Sequence, residues 1–228
     1  MFKKVMLLLV LGLMLSSCGK EEETTGPGGG TGGGGSSSTR PVPFNVNNYW
    51  VYLDTQDSTY DTLQVVGEVT YNGNQAYQVI YTTEPADTYL VYYDDNAGYL
   101  MQALTVEYDT FAFDIESRML KIPMVVGDQW DVYVMDTTFQ DTISTTHVVV
   151  HRTGEILGTE NVTVPAGSFD GCFKVKYTQI YSVSVTSNWG TFTFADTTVD
   201  YGYIKDGVGV VKSVQDSTAL LLTDYNIQ

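Results

Sequence analysis

The sequence predicts an all-β fold: a single antiparallel meander curved into a barrel or half-barrel, with a two-layer β-sandwich as the alternative. From Phe44 onward Thr, Val and Tyr are abundant, and apolar and polar residues alternate with a period of two. Turn signals separate the alternating segments. No stretch shows a capped apolar stripe at helical spacing. Consecutive long hairpins close readily into a barrel, which favours the barrel over the sandwich.

The first predicted strands are joined by recognisable turns. Asn72-Gly73 suits the two positive φ angles of a type I′ hairpin turn. Asp94-Asp95-Asn96-Ala97-Gly98 supplies a second turn, since Asp and Asn favour turn conformations. The strands predicted around these turns and further along the chain are residues 61–71, 75–83, 88–93, 99–106, 142–156 and 219–225.

The clearest hairpin is predicted at residues 172–203. Residues 172–187 alternate almost without fault, and only Gln179 interrupts the apolar face. Asn188-Trp189-Gly190 supplies the turn, and residues 191–203 return as the partner strand. The alternation changes phase near Asp196, which predicts a β-bulge or a break in the strand there.

Three motifs resemble those of uncharacterised bacterial secreted and lipid-anchored β-domains, of the type Gly-x-x-Trp, then Val-Pro-Ala-Gly-Thr-Phe, then Gly-Val-Gly-Leu-Val-Lys. The matching segments are Gly127-Asp128-Gln129-Trp130, Val164-Pro165-Ala166-Gly167-Ser168-Phe169 and Gly207-Val208-Gly209-Val210-Val211-Lys212. Asn48-Tyr49-Trp50-Val51-Tyr52 also opens the domain as in that group. The resemblance covers most of residues 44–228. It implies turn and packing roles, offers no catalytic residue, and suggests half-barrels like those of lipoprotein carriers.

The N-terminus has the pattern of an export leader. Lys3 and Lys4 precede an apolar run of 11 residues, 5–15, which is shorter than the about 20 residues of a membrane-spanning helix. Leu15-Ser16-Ser17-Cys18 resembles a bacterial lipobox. This resemblance implies a signal peptide over residues 1–17, cleavage before Cys18, and a diacylglycerol and an N-acyl chain, such as palmitate, on that cysteine. An ordinary secretory signal with an incidental cysteine is the alternative.

The residues after Cys18 bear on localisation. Gly19 stands where an Asp would resemble an enterobacterial inner-membrane retention signal, so a lipid anchor in the outer membrane is predicted. Lys20-Glu21-Glu22-Glu23 resembles the acidic signals that send some Bacteroidetes lipoproteins to the cell surface. A solvated charge run, with the domain on the periplasmic face, is the alternative.

A flexible tether is predicted between the anchor and the folded part. Residues 26–38 are almost entirely Gly, Ser and Thr, a composition that buries little apolar surface. We therefore divide the chain into a signal peptide (1–17), a lipidated cysteine with its tether (18–43) and one all-β domain (44–228). A domain of 185 residues is long enough for one sizeable core.

Charge and cysteine content exclude some functions. The chain has 27 acidic and 11 basic residues and a formal charge of −16. A surface this acidic repels phosphate backbones, so no nucleic-acid partner is predicted. With Cys18 lipidated, Cys172 has no disulfide partner and is expected to be a small buried apolar residue.

No catalytic, cofactor or metal site is predicted. His147 and His151 lie on one strand face about 13 Å apart, too far to share a metal. The turn at residues 94–98 resembles a calcium loop in composition only, so a plain hairpin turn is favoured. The standard hydrolase and phosphate-loop motifs are absent from the sequence. A hydrolase with two paired carboxylates remains a less favoured alternative.

The sequence thus predicts a lipid-anchored envelope protein, not an enzyme, with a binding or scaffolding β-domain. The membrane is its partner through the lipid, and the further partners considered are a glycan, an apolar ligand or an envelope protein. A carrier that holds an apolar ligand in a curved sheet is the second hypothesis. Any of the 17 Tyr and 3 Trp whose rings are exposed would serve binding. The simpler interpretation is that the Tyr residues form part of an ordinary β core.

Overall fold

The computed structural model describes residues 37–108, 111–140 and 142–228, and every regular element in those ranges is a β-strand. None of these ranges contains a helix long and apolar enough to cross a membrane. The twelve strands are β1 (Tyr49–Asp54), β2 (Tyr60–Tyr71), β3 (Asn74–Tyr81), β4 (Glu84–Asp94), β5 (Tyr99–Tyr108), β6 (Phe111–Lys121), β7 (Gln129–Gln140), β8 (Ser144–Val164), β9 (Gly167–Ser187), β10 (Gly190–Lys205), β11 (Gly209–Gln215) and β12 (Thr218–Asn226).

All twelve strands belong to one antiparallel sheet. Their spatial order is β6-β5-β4-β3-β2-β1-β12-β11-β10-β9-β8-β7, so β1 and β12 meet in the middle of the sheet and β6 and β7 form its two edges. Curvature brings the two edges into contact, and the sheet becomes a nearly closed barrel. The predicted all-β meander is confirmed, in the barrel form rather than the sandwich.

The inner face of the barrel carries the main hydrophobic core. Its fully buried apolar side chains come from most parts of the sheet, which is expected when alternating strands close on themselves. They include Trp50, Val65, Leu120, Met124, Ile156, Val175, Val211 and Leu222. Burial of each such side chain is worth roughly 1.5–3 kcal/mol, so this core dominates the stability of the domain.

One end of the barrel, which we call the closed end, is covered by the lead-in segment, residues 37–48. Phe44 lies in the core, with its ring 6.0 Å from that of Trp50. Val42 is buried and exchanges two hydrogen bonds with the Tyr93 hydroxyl, at 3.0 and 2.6 Å. Arg40 pairs with Asp95 at the rim. The lead-in segment therefore packs against the barrel before Phe44 is reached.

The sequence motifs occupy turns and packing sites, as the family resemblance implied. Gly127, Gly167, Gly207 and Gly209 all have positive φ angles. At Gly209 the backbone passes so close that a Cβ would stand 3.1 Å from Val42. The neighbouring Val208 carbonyl accepts a 2.7 Å hydrogen bond from the Trp50 indole. The turn at Asn72-Gly73 also has the expected pair of positive φ angles, 49° and 80°.

Strands β7 to β10 extend well beyond β11 and β12. β8 and β9 have 21 residues each, whereas β11 has seven. β10 pairs with β9 from Gly190 to Ile204, but with β11 only from Asp200 to Lys205. The outer parts of the four strands therefore form a projecting sheet, which we call the ribbon: residues 135–140, 144–150, 179–187 and 190–198.

The bulge or break predicted near Asp196 is wrong. The register between β9 and β10 runs without a shift from Gly190 to Ile204. The apolar pattern changes phase because Asp200 occupies an inner position, while Tyr201 and Tyr203 point outward and are covered by Lys174. The predicted hairpins at residues 61–83, 88–106 and 172–203 are otherwise confirmed, with strand ends shifted by a few residues.

Candidate binding site

A buried ion pair lies on the inner face, where the ribbon leaves the barrel. Arg152 of β8 donates from Nη2 to both carboxylate oxygens of Asp200 on β10, at 3.0 and 2.9 Å. Both side chains are almost entirely buried. The Arg152 guanidinium also lies 4.9 Å from the centre of the Tyr177 ring. Charged side chains are rarely buried unless paired, so the pair marks a place where the interior accommodates polar groups.

Cross-strand pairing extends this polar region across β7 and β9. Gln179 of β9 stands directly opposite Arg152 and is buried among the same strands. Its Oε1 accepts a 3.2 Å hydrogen bond from the Tyr133 hydroxyl of β7. The single interruption of the apolar face that the sequence showed at Gln179 is thus part of a buried polar row.

Two polar atoms on this face have no hydrogen-bond partner within the described chain. Gln215 stands opposite Asp200 and is 5% exposed, yet its Nε2 is unpaired. Thr198 stands opposite Gln179, and its Oγ1 is unpaired as well. A buried polar group without a partner costs about 1–3 kcal/mol. We call the whole set the inner polar cluster: Tyr133, Arg152, Gln179, Thr198, Asp200 and Gln215.

Burial governs the ionisation of these groups. Burial raises the pKa of Asp200 above its ordinary value, and the facing Arg152 offsets only part of that effect. Burial likewise raises the pKa of Tyr133 and of Tyr177, again opposed by the charge on Arg152. Both phenols therefore remain protonated at neutral pH and serve as hydrogen-bond donors.

Side chains from the barrel wall tie down the edge strand β6, and we call this contact the seam. The Trp130 indole donates to the Arg118 carbonyl at 2.8 Å, and the Tyr177 hydroxyl donates to the Met119 carbonyl at 3.0 Å. The two rings meet edge to face, 6.2 Å apart. The Trp130 ring lies directly on Gly154, where a Cβ would overlap it. Trp130, the last residue of the Gly127–Trp130 motif, therefore has a structural role, because its side chain closes the barrel.

Next to the seam, a cleft of about 490 Å³ lies between β6 and β7. This volume falls within the range of small-molecule sites, about 300–1,000 Å³. Its walls combine apolar side chains with three charged ones, Glu116, Arg118 and Asp131, and Tyr133 connects it to the inner polar cluster. The lining residues are Met101, Ile115, Glu116, Arg118, Asp131, Val132, Tyr133, Val134 and Met135.

The acids that line the cleft are Glu116 and Asp131, one from each edge strand. Glu116 accepts hydrogen bonds from the Tyr92 hydroxyl and the Asn72 amide, at 3.0 and 3.2 Å. Asp131 bonds to His151 at 2.8 Å. Both carboxylates are thus engaged by neighbours. No group of three potential metal ligands occurs in residues 37–108, 111–140 and 142–228.

The apolar lining continues from the cleft along the ribbon. Met135, which lines the cleft, stands beside Val150, which in turn stands opposite Tyr181. Farther out, Phe194 pairs with Val183 and is exposed. We call this surface the inner apolar face: Met135, Val148, Val150, Tyr181, Val183, Val185 and Phe194.

The histidines and the cysteine singled out in the sequence lie apart from this site. His147 and His151 each bond to a different carboxylate, Asp136 at 2.7 Å and Asp131 at 2.8 Å. Cys172 is fully buried, as predicted, and burial raises the pKa of its thiol. It belongs to the hydrophobic core.

The turn at residues 94–98 is a hairpin turn, as predicted. The Asp94 carboxylate accepts hydrogen bonds from the backbone amides of Asn96 and Ala97, at 3.1 and 2.9 Å. The Asp95 carboxylate is paired with Arg40. Both acids therefore have structural partners.

The predicted anchor lies outside the described residues. This applies to the lipobox, Leu15, Ser16, Ser17 and Cys18, and to the acidic signal, Lys20, Glu21, Glu22 and Glu23. Both assignments stay predictions.

Sequence reasoning did not find the inner polar cluster. One signal was visible, because Gln179 interrupts an otherwise apolar face. Asp200 gave a second signal of the same kind. It occupies an inner position of its strand, while the aromatic residues that follow it, Tyr201 and Tyr203, point outward. Polar residues at inner positions of two neighbouring strands indicate a buried polar site.

Comparisons with known proteins give a likeness in shape only. No protein-family model matches the sequence, and no curated protein matches it. A suggested lipoprotein from Parabacteroides distasonis is 19% identical, with a TM-score of 0.44, and the match covers 83% of this chain and 99% of that chain. A suggested exported protein with a YmcC-like fold from Bacteroides fragilis is 16% identical, with a TM-score of 0.36 and coverage of 81% and 98%. Likeness at this level transfers no residue role and no activity to this chain.

Proposed function

We propose that this chain is a lipid-anchored cell-envelope protein whose β-domain is a non-enzymatic binding module for an apolar or amphiphilic molecule. The observation that carries the proposal is the inner apolar face, which begins at the cleft and runs along the ribbon to Val185 and Phe194, which are exposed. Contiguous exposed apolar surface is uncommon on soluble monomers and usually marks a binding site.

The shape of the site suits a chain-like ligand. The cleft lies open beside the barrel interior, and the inner apolar face provides a strip of Val, Tyr and Phe side chains beyond it, with Asp196 standing opposite Tyr181. Ligand sites of this kind combine apolar walls with a few polar groups that fix orientation. Here the polar groups are those of the inner polar cluster, at the barrel end of the strip.

The charge balance of the cluster favours a ligand with a neutral polar group. The positive charge of Arg152 is already matched by Asp200, so a charged ligand group would stay unpaired in a buried site. The unpaired Nε2 of Gln215 is a donor that requires an acceptor. An ester or amide carbonyl, or a hydroxyl, supplies one without adding charge.

Binding is tested with N-phenyl-1-naphthylamine, an uncharged apolar dye that fluoresces when it leaves water. We expect the full chain to enhance the dye signal and Val183→Glu to weaken binding at least tenfold, because a carboxylate would enter the inner apolar face. Ser182→Glu is the matched control, since Ser182 is the adjacent residue on the opposite face of the same strand. It should leave dye binding unchanged.

Three results would overturn the binding proposal. They are the absence of dye binding by the wild-type chain, equal loss in both variants, and steady hydrolysis of common esters, peptides or glycans that a point mutation abolishes. Thermal unfolding of both variants checks that neither substitution acts by unfolding the domain.

The anchor is tested separately from the ligand. Cys18→Ser should abolish lipidation and move the protein from the membrane fraction to the soluble fraction, because the acyl chains would be lost. Globomycin, which blocks the lipoprotein signal peptidase, should leave residues 1–17 attached. A Cys18→Ser protein that stays in the membrane fraction without an uncleaved leader would contradict the anchor.

A further inference from the structure

The far end of the ribbon carries three large apolar side chains that are almost fully exposed, and we call them the tip. Trp189 in the β9–β10 turn is 98% exposed, Phe192 is 80% exposed and Ile143 is 74% exposed. The pairing of Ser144 with Ser187 places Ile143 beside the Trp189 turn. The three residues therefore share one end of the sheet, as far from the closed end as the strands reach.

Trp189 and Phe192 of the tip lie in the longest uncharged stretch of the β9–β10 hairpin, whereas Ile143 follows Asp141 by two residues in the β7–β8 connection. Residues 177–195, which are 19 residues, contain no Asp, Glu, Lys, Arg or His, in a chain with a formal charge of −16. Desolvation of a charged side chain is costly, so the absence of charge removes the main obstacle to placing this hairpin against an apolar medium. A hairpin surrounded by water does not require such an uncharged sequence, least of all in so acidic a chain.

The hairpin is also two-faced. On its outer face, the hydroxyls of Ser184 and Thr193 bond to each other at 2.9 Å, and Thr186 and Thr191 form a second such pair. On its inner face Phe192 stands opposite Val185. The hydroxyl pairs satisfy hydrogen-bonding groups of the outer face within the hairpin. The apolar side chains of the inner face are left to contact an apolar medium.

Backbone pairing reaches the end of the hairpin. The β9–β10 ladder continues to Ser187 and Gly190, and the β8–β9 ladder to Ser144 and Ser187. Backbone groups inserted near a bilayer must be hydrogen-bonded within the protein. The two ladders meet this requirement along the strand β9 up to the turn that presents Trp189. From Gly190 to Val199 the described chain pairs β10 only with β9, so the free edge of β10 has to face water or headgroups.

We propose that the tip docks in the interfacial region of a phospholipid bilayer with neutral headgroups. Trp favours the membrane–water interface, where its ring is buried and its N–H stays hydrated. Neutral headgroups are favoured because anionic lipids repel so acidic a chain. The docking goes beyond ligand binding, because it uses Trp189 and Ile143, which are not part of the inner apolar face.

The covalent length of the chain allows the tip and the predicted anchor to reach one membrane. β10 has 16 residues and spans about 50 Å, which sets the distance between the tip and the closed end. Residues 18–36 link Cys18 to the lead-in segment, and 19 residues extend to at most about 65 Å. The domain can therefore lie on its side, anchored at one end and docked at the other.

The test uses the three tryptophans of the full chain. Trp50 and Trp130 are buried in the core, so Trp189 is the tryptophan that lipid can reach. The full-length lipidated protein is mixed with phosphatidylcholine vesicles in which part of the lipid is brominated on the acyl chain. We expect brominated lipid to quench the emission of the wild-type chain by at least a third and to leave Trp189→Phe unchanged.

Two further variants separate docking from other effects. Phe192→Ser should at least halve the quenching of Trp189, because it removes a neighbouring apolar side chain. Tyr60→Ser is the control for loss of an exposed aromatic residue elsewhere on the chain, and it should leave quenching unchanged. Dye binding by the inner apolar face should persist in Trp189→Phe, so failure of docking and failure of ligand binding are distinguishable.

The outcomes that overturn the proposal are equally direct. One is emission of the wild-type chain that brominated lipid does not quench while aqueous acrylamide does. Another is a chain that sediments as a dimer without vesicles and becomes monomeric on Phe192→Ser, which would assign the tip to contact between two copies. Absence of any vesicle association also contradicts docking.

Discussion

The closed end of the barrel and the ribbon are built from the same strands with the same alternation of residues, yet their inner faces differ in burial. On β9, Val175 is completely buried, whereas Val185, on the same face ten residues later, is exposed. The difference is what packs against the face: Val175 belongs to the main core, whereas at Val185 β9 and β10 have extended beyond the end of β11. An apolar face becomes a core only where another surface covers it, and the uncovered part is available for binding.

The largest expected difference between the two regions is in the cost of losing an aromatic side chain. Trp50→Ala should lower the free energy of unfolding by about 3–5 kcal/mol, because it leaves a cavity and an unpaired Val208 carbonyl. Phe192→Ala should change it by less than about 0.5 kcal/mol, since the ring is solvated. Urea unfolding measures both, and similar losses would show that the tip belongs to the core.

The boundary between the two regions is tested at the buried ion pair. Asp200→Asn should cost about 3–5 kcal/mol, because it leaves the Arg152 charge buried without a counter-charge. Replacing both residues, Arg152→Met with Asp200→Leu, should cost less than either single change. Chemical unfolding of the wild-type chain, Arg152→Met, Asp200→Leu and the double variant forms a double-mutant cycle, and strictly additive losses would mean that the two charges do not stabilise each other.

A smaller effect is expected at two glycines of β8. Gly154→Ala should cost about 1–3 kcal/mol, because the new Cβ would displace the Trp130 ring that closes the seam. Gly158→Ala is the matched control, since no atom lies within 4 Å of its Cβ position. Its stability should be unchanged or slightly higher. Equal losses at the two sites would show that the seam is not tightly packed.

The smallest and most gradual effect is expected at alkaline pH. Burial raises the pKa of Tyr81 to about 12, from an ordinary value of 10.0, and burial also raises the pKa of Tyr52 and of Tyr177. The unfolded chain releases these protons first, so stability is intact below pH 10 and declines as pH rises toward 12. Unfolding curves at stepwise pH should show this decline, and Tyr177→Phe should reduce it.

Much of the fold could be predicted from local sequence. The hairpin at Asn72-Gly73 follows from backbone preferences of two adjacent residues, and the strand at residues 172–187 follows from its alternation. The error near Asp196 shows where such reasoning stops. A change of apolar phase can mean a bulge, or it can mean a polar residue pointing inward, and only the pairing of Asp200 with Arg152 decides between them.

The candidate site could not be predicted from the sequence because it forms only when the sheet closes into a barrel. Arg152 and Asp200 are 48 residues apart and meet across an intervening strand. The cleft joins β6 and β7, which are neighbours in sequence but lie at opposite edges of a twelve-stranded sheet. The exposure of Phe194 depends on how far β9 and β10 extend beyond the end of β11. None of these relations is encoded in a local pattern.

Hydrogen–deuterium exchange of the full chain, with and without a monoacylglycerol, tests most directly that the ribbon is a binding surface. A monoacylglycerol has an acyl chain for the inner apolar face and a neutral ester for the inner polar cluster. We expect slower exchange at residues 131–135, 179–187 and 190–198, and no change in β1, β2 and β12. Unchanged exchange in the ribbon, or an equal change throughout the barrel, would contradict the account.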